Sequence, residues 1–162
     1  AVVLSENMDA GGMLYLVDPF HLARVPFLNF LQKTAHRAVN RTARGRVAWL
    51  QCFSYEAVRQ WSKPVDFLLI DGDHREEAVN EDWNTWSRHV VADGIAVFHD
   101  ARIFPGGWTT ADDGPVRFVN RTFRSKEPGE WMILDEVDSL VFVCRRKVTA
   151  PSASRAVREN RS

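Results

Sequence analysis

The sequence predicts an α/β fold: a mostly parallel sheet with helices on both faces, closed by a C-terminal antiparallel hairpin. Three observations predict it. Phe67-Leu68-Leu69-Ile70 is a wholly apolar run that ends abruptly in Asp71-Gly72-Asp73-His74. Ile95-Ala96-Val97-Phe98 ends the same way in His99-Asp100, a helix length further on. Short runs without polar alternation are the habit of parallel strands buried on both faces. Residues 131–137 and 140–143 then flank Asp138-Ser139, a two-residue turn that lacks the favoured glycine. In such a sheet the carboxyl ends of the two apolar runs lie side by side. That is the edge where open α/β proteins bind ligands.

The elements follow in order. Residues 1–10 read as the tail of a helix entered partway, and Ala1 in place of Met suggests further sequence upstream. Gly11-Gly12 breaks that helix, and residues 13–17 form a short apolar strand ending in Asp18-Pro19. Pro26 suits the first position of a helix. Its face would be Phe27, Leu31, Ala35 and Ala38 with Leu28 and Val39 alongside, and Arg37, Arg41 and Arg44 gather at the end that favours cations. Residues 47–53 are the next strand, and Ser54 can cap a short helix carrying Ala57, Val58 and Trp61. Pro64 precedes the strand 65–70. A helix over 75–90 places Val79, Trp83, Trp86 and Val90 on one face. Asp93-Gly94 turns into the strand 95–98. A loop over 101–114 holds Pro105-Gly106-Gly107-Trp108 and Asp112-Asp113, and Pro115 opens a helix with Val116, Val119 and Phe123 on one side. Residues 1–146 thus read as one α/β domain, and 147–162 as a basic tail with too few apolar residues to fold.

Bulk properties restrict the function. A chain of 162 residues is long enough for a full core. Its 21 basic and 21 acidic residues balance, so no global field draws nucleic acid or a membrane surface. No apolar run approaches the roughly 20 residues of a spanning helix, and no basic-then-apolar leader opens the chain. Cys52 and Cys144 fall in expected strands and read as free thiols, consistent with a cytoplasmic protein. The expected partner is a small molecule, with no nucleic acid and no membrane, and a homo-oligomer is allowed.

Together, Val17-Asp18-Pro19-Phe20, the run 66–74 ending in Asp71-Gly72-Asp73-His74, and Asp93-Gly94 through His99-Asp100 resemble a class I S-adenosylmethionine-dependent methyltransferase. The nearest branch is the small-molecule O-methyltransferases with an Asp-Gly-x-His motif, among them macrolide-sugar O-methyltransferases and cephalosporin hydroxylase-like proteins. The resemblance covers roughly residues 14–145 and implies a Rossmann-like fold. It implies S-adenosylmethionine as cofactor and a small hydroxylated metabolite as methyl acceptor. Asp18 matches the acid that binds the cofactor ribose, a task suited to a carboxylate accepting two hydrogen bonds from a diol. Cys52, Phe53 and Ser54 fall where relatives contact the adenine. Asp71 matches a residue of the cofactor and metal region, and Asp71 with Asp100 matches two ligands of a divalent ion. His99 stands where some relatives carry a third, acidic ligand, with Asp73 as a substitute. An all-oxygen set suits magnesium, whereas a histidine shifts the preference toward manganese, iron or zinc. His74 matches the general base, and an imidazole titrating near 6.5 suits that work.

One departure stands out. Relatives hold the methionine end of the cofactor with a glycine-rich loop after their first strand, and this sequence has no such loop. Each match also has a plainer reading. Asp18 can be a turn aspartate, Ser54 a helix cap, Phe53 a core residue, Asp71 a cap on the following helix and His74 a structural residue at a helix start. Two other functions compete. One is a methyltransferase-fold protein without catalysis that serves binding or assembly. The other is a metal-dependent hydrolase or nuclease built on Asp71, Asp73, His74 and Asp100.

Overall fold

The computed structural model describes residues 1–20, 30–125 and 129–147. The chain divides into two compact units, residues 1–61 and 62–162. The fold is α/β and Rossmann-like, with parallel strand–helix–strand units and a C-terminal antiparallel hairpin.

In the first unit, α1 (Val2–Asn7) precedes β1 (Met13–Val17), and α2 (Phe30–Thr42) precedes β2 (Arg46–Leu50) and α3 (Ser54–Arg59). The two strands pair in parallel, from Met13 opposite Arg46 to Val17 opposite Leu50. They therefore end together, at the edge that carries Asp18 and Cys52-Phe53-Ser54. A helix as short as α1 cannot hold itself. Ser5 ties it down: fully buried, it donates to the Val2 carbonyl at 2.7 Å and lies 2.7 Å from the Thr42 hydroxyl of α2.

The inner face of α2 differs from the expected stripe. Val39 is buried, but Leu31 is 64% exposed. His36 takes an inward place and stacks on Trp49 of β2 with ring centroids 3.8 Å apart. The expected helix start at Pro26, with Phe27 and Leu28, lies outside the described residues. Strand β2 stops at Leu50, short of the expected Phe53, because the Cys52 N–H turns back to the Leu50 carbonyl at 3.0 Å. Cys52 is thus in a turn and Cys144 in a strand, and both are free thiols.

The second unit runs β3 (Val65–Ile70), α4 (Glu76–Trp86), β4 (Val90–Phe98), α5 (Gly114–Val119), β5 (Trp131–Val137) and β6 (Leu140–Arg145). Its sheet order is β3-β4-β6-β5, with β3 and β4 parallel and the hairpin antiparallel. The core joins Ile70 of β3, Ala96 and Phe98 of β4, and Val141 and Val143 of β6 to Val79 and Trp83 of α4 and to Phe118 and Val119 of α5. Phe123, in the wider turn that prolongs α5, packs against them. At the hairpin tip Asp138 adopts φ 49, a left-handed conformation that aspartate tolerates and that supplies what a glycine usually would.

Two boundaries move. Helix α4 stops at Trp86, a short turn over Ser87–His89 follows, and Val90, expected on the helix, opens β4. Asp93-Gly94 lies within β4 as an irregularity: Val65 faces Val90, Phe67 faces Ile95, and Asp93 has φ 63. The expected single sheet is also corrected. β1 and β2 form one sheet and β3 to β6 another, and among the described residues no strand hydrogen-bonds to both sets. No helix among the described residues is long and apolar enough to cross a membrane.

Candidate active site

Strands β3 and β4 run parallel with Ile70 opposite Phe98, so the residues that follow them emerge together. The His99 N–H donates to the Ile70 carbonyl at 3.1 Å and carries the pairing one step past the strands. Asp71, His99 and Asp100 are thereby neighbours. Asp100 is buried and adopts φ 50, a conformation a β-branched residue would resist. His74 joins them from the loop between β3 and α4. Gly114 clamps that loop from below: a Cβ there would lie 2.2 Å from the His74 carbonyl oxygen and 2.4 Å from the Glu76 nitrogen, so only glycine fits. Glu76 adds a second tie, its carboxylate 3.1 Å from Arg117 and 2.9 Å from Arg121.

The geometry centres on His99. Its Nδ1 lies 3.1 Å from Asp71 Oδ1 and 3.4 Å from Asp100 Oδ2. Despite those distances Nδ1 is a buried nitrogen without an aligned hydrogen-bond partner. His74 Nδ1 is 4.0 Å from Asp100 Oδ2, beyond hydrogen-bond reach, and the two imidazoles are 6.5 Å apart. Ligand atoms of Asp71, His74 and His99 all lie within 4.8 Å of one another. The two sets of distances select different trios: mutual proximity favours His74 as third member, contact with the orphaned nitrogen favours Asp100. Atoms bound at 2.0–2.2 Å to one ion sit roughly 3.0–3.5 Å apart in octahedral or tetrahedral arrangements. Each contact to His99 has that spacing, but among the described residues only Asp71, His74 and His99 bring one ligand atom each within mutual reach, so Asp100 meets the group through His99 and His74. A nitrogen in the set suits manganese, iron or zinc better than magnesium.

Asp73 does not converge with them. It accepts from the Arg75 backbone N–H at 2.9 Å and from the Arg75 guanidinium at 2.8 and 2.6 Å. The guanidinium bond, helped by the backbone bond, holds the Asp73 carboxyl below the usual carboxylate range. Asp73 as a substitute ligand, and as part of a hydrolytic metal centre, loses its ground, because its oxygens are already engaged. Arg75 occupies the N-cap position of α4 with no side-chain cap bond, so Asp71 is not the cap of that helix.

In the first unit Asp18 is exposed at the end of β1, and its Oδ1 accepts the Phe20 N–H at 2.7 Å. The turn role is therefore real and occupies one oxygen. Ser54 is the first residue of α3, not its cap; Phe53 holds the cap position, and the Glu56 carboxylate accepts the Phe53 N–H at 2.9 Å. Phe53 is 37% exposed, outside the core, and stacks on Tyr55 at 5.2 Å. The Asp18 carboxylate and the Phe53 ring thus follow the ends of two adjacent parallel strands.

One participant escaped the sequence reading. Trp108 Nε1 donates to Asp100 Oδ1 at 3.0 Å. The signal was a tryptophan eight residues beyond Asp100, behind Pro105-Gly106-Gly107, a turn sequence able to bring the loop back on the strand end.

Comparison with known proteins gives two findings. A family model described as a methyltransferase domain matches residues 1–101, a span that includes Asp18, Phe53, Ser54, Asp71, His74, His99 and Asp100. Among solved structures, the crystal structure of a protein provisionally named an rRNA-methylase, from Clostridium thermocellum, is similar. It shares 14% identity over 91% of this chain and 79% of that one, with a TM-score of 0.54. At that identity the likeness carries the fold alone.

Proposed function

The chain belongs to the methyltransferase-domain family, as an S-adenosylmethionine-dependent enzyme, and from that premise we propose that it methylates a hydroxyl oxygen of a small molecule. The convergence of His74, Asp71, His99 and Asp100 at the ends of two adjacent parallel strands carries this reading. Asp18 receives the ribose hydroxyls, and Phe53 and Ser54 flank the adenine. Asp71 would contact the cofactor and, with His99 and Asp100, would hold a divalent ion.

The cofactor supplies an electrophilic methyl group on a sulfonium. A divalent ion held there would supply positive charge that favours the alkoxide form of a hydroxyl. His74, half-exposed, would take the hydroxyl proton as the acceptor oxygen attacks the methyl carbon. With the cofactor bound, transfer would exchange its carbon–sulfur bond for a carbon–oxygen bond on the acceptor, and the His74 imidazole would keep the proton. Asp100, 4.0 Å from His74 Nδ1, faces the charge the ring then carries. The rRNA-methylase likeness does not redirect the substrate toward nucleic acid, because 21 basic and 21 acidic residues leave no net field for phosphates.

Calorimetry with S-adenosylhomocysteine tests the premise and labelled methyl transfer to hydroxylated small molecules tests the reaction. Binding, with transfer that chelator suppresses and manganese restores, is expected. Absence of heat on the protein would overturn the reading.

A further inference from the structure

The loop over residues 101–113 leaves β4 beside Asp100 and returns beneath His74. It is held at several points. Pro105 and Gly106 occupy the middle of a turn closed by the Gly107 N–H on the Phe104 carbonyl at 3.0 Å, and Gly106 at φ 76 gives the glycine-requiring form of that turn. Thr109, 6% exposed, donates to the Arg102 carbonyl at 2.6 Å. Between these ties Trp108 is fixed on two sides. Its ring meets Phe104 edge-on at 5.5 Å, and its Nε1 donates to Asp100 at 3.0 Å. Nevertheless 68% of Trp108 is exposed.

That combination calls for an explanation. An exposed tryptophan on a loose loop is ordinary surface. One held by a hydrogen bond to a buried carboxylate keeps a broad apolar face in water with its orientation already fixed, which is how a stacking platform is built. The indole N–H also occupies Asp100 Oδ1. Oδ2 is then the oxygen turned to His99 at 3.4 Å and His74 at 4.0 Å.

We propose that Trp108 serves the methyl-transfer site twice: as the positioning residue that sets Asp100 through its indole N–H, and as the platform on which the ring of a cyclic alcohol stacks. The shared ligand chemistry is a hydroxylated six-membered ring with a flat face, supplied by a phenol or by a sugar. A ring stacked on the indole is held next to the carboxylate that faces His74, with its hydroxyl substituents toward the base. This rests on the methyl-transfer reading for what happens to the hydroxyl. The stacking and the positioning have readouts of their own.

The test is nuclear magnetic resonance on the full chain. Six tryptophans give six indole N–H signals, and Trp108→Phe identifies one of them by its loss. Catechol, methyl β-glucopyranoside and the acyclic control 1,2-propanediol are titrated in turn. A shift of the Trp108 signal by a cyclic probe and not by the control is expected. Response to catechol alone assigns a phenol, and to the glucoside alone a sugar. Followed on the probe's own signals, Trp108→Ala should weaken the responding probe roughly fivefold, whereas Trp108→Phe, which keeps an aromatic face, stays within about twofold of the unsubstituted protein. The positioning role predicts the opposite pattern. Trp108→Phe should move the His74 and His99 ring signals in the same direction as Asp100→Ala does. Equal affinity in Trp108→Ala, or no response to either ring, would overturn the platform. Unmoved histidine signals in Trp108→Phe would overturn the positioning role. S-adenosylhomocysteine calorimetry on the same samples separates the two proposals: heat with no ring response removes only the Trp108 inference, and ring response without heat removes only methyl transfer.

Discussion

At the scale of single residues, position and chemical engagement separate side chains that look alike in the sequence. Asp71 and Asp73 stand two residues apart, yet one faces His99 at 3.1 Å and the other is locked onto Arg75. Replacing Asp71 by Ala should therefore abolish stimulation by manganese, while Asp73→Ala leaves it intact; metal titration of activity distinguishes them, and equal effects would sink the ligand assignment. His74 should act independently of both. His74→Ala should lower turnover roughly 10²–10⁴-fold with cofactor affinity nearly unchanged, as removal of a general base requires. Full turnover in that variant would return His74 to a structural role. For Asp18, loss of a charged hydrogen-bond acceptor costs on the order of 1.5–3 kcal/mol, so Asp18→Ala should weaken S-adenosylhomocysteine about tenfold or more in calorimetry. Unchanged affinity would leave only the turn bond to Phe20.

At the scale of elements, the run 67–70, read as buried on both faces, leaves Phe67 42% exposed, whereas the strand 95–98, the face of α4 and the terminal hairpin were legible from their apolar patterns. Trp83 illustrates it. The helical stripe placed it inward, and it lies 7% exposed with ring centroids 5.4 Å from Phe98, 5.2 Å from Phe123 and 4.6 Å from Trp131. Trp83→Ala should cost roughly 3–5 kcal/mol, read as a lowered urea midpoint, and a cost under about 1 kcal/mol would contradict the packing. Element ends were less legible. Val90 continues the apolar stripe of α4, but pairing opposite Val65 draws it into β4, and periodicity alone cannot show a strand partner. Leu31 reads as a core residue of α2, yet His36 stacking on Trp49 takes an inward place, since an imidazole can offer an apolar face that hydropathy does not register. Within the site, Asp71, His74, His99 and Asp100 were legible from strand-end placement. The Trp108 bond to Asp100 was not, because a loop's return path depends on the Pro105-Gly106 turn geometry and not on any period.

At the scale of the whole molecule, the titrating groups set how stability varies with pH. Burial, and then the nearby Arg88 charge, push the His89 imidazole below its ordinary value of 6.5. The ring sits at the turn after α4, 6.2 Å from Trp86. A histidine held low in the fold is more easily protonated when unfolded, so its contribution is complete above about pH 6.5 and is lost as pH falls below it. Asp73, held low by Arg75, acts in the same direction at more acid pH, its share disappearing as pH falls beneath 3.8. Lys147 is raised above 10.5 by its bond to Asp93, so its share survives neutrality and is lost only as pH rises through that higher value. Asp73 and Lys147 are largely open to solvent, and screening keeps both shares small. The expected curve shows a decline as pH falls below about 6.5 that is assigned to His89. Urea midpoints measured from pH 5 to 8 check it. His89→Gln, which cannot take up the proton, should flatten the decline near pH 6 while leaving the steeper acid loss untouched. A decline that persists in His89→Gln would place the proton on another of the five histidines and remove His89 as its source.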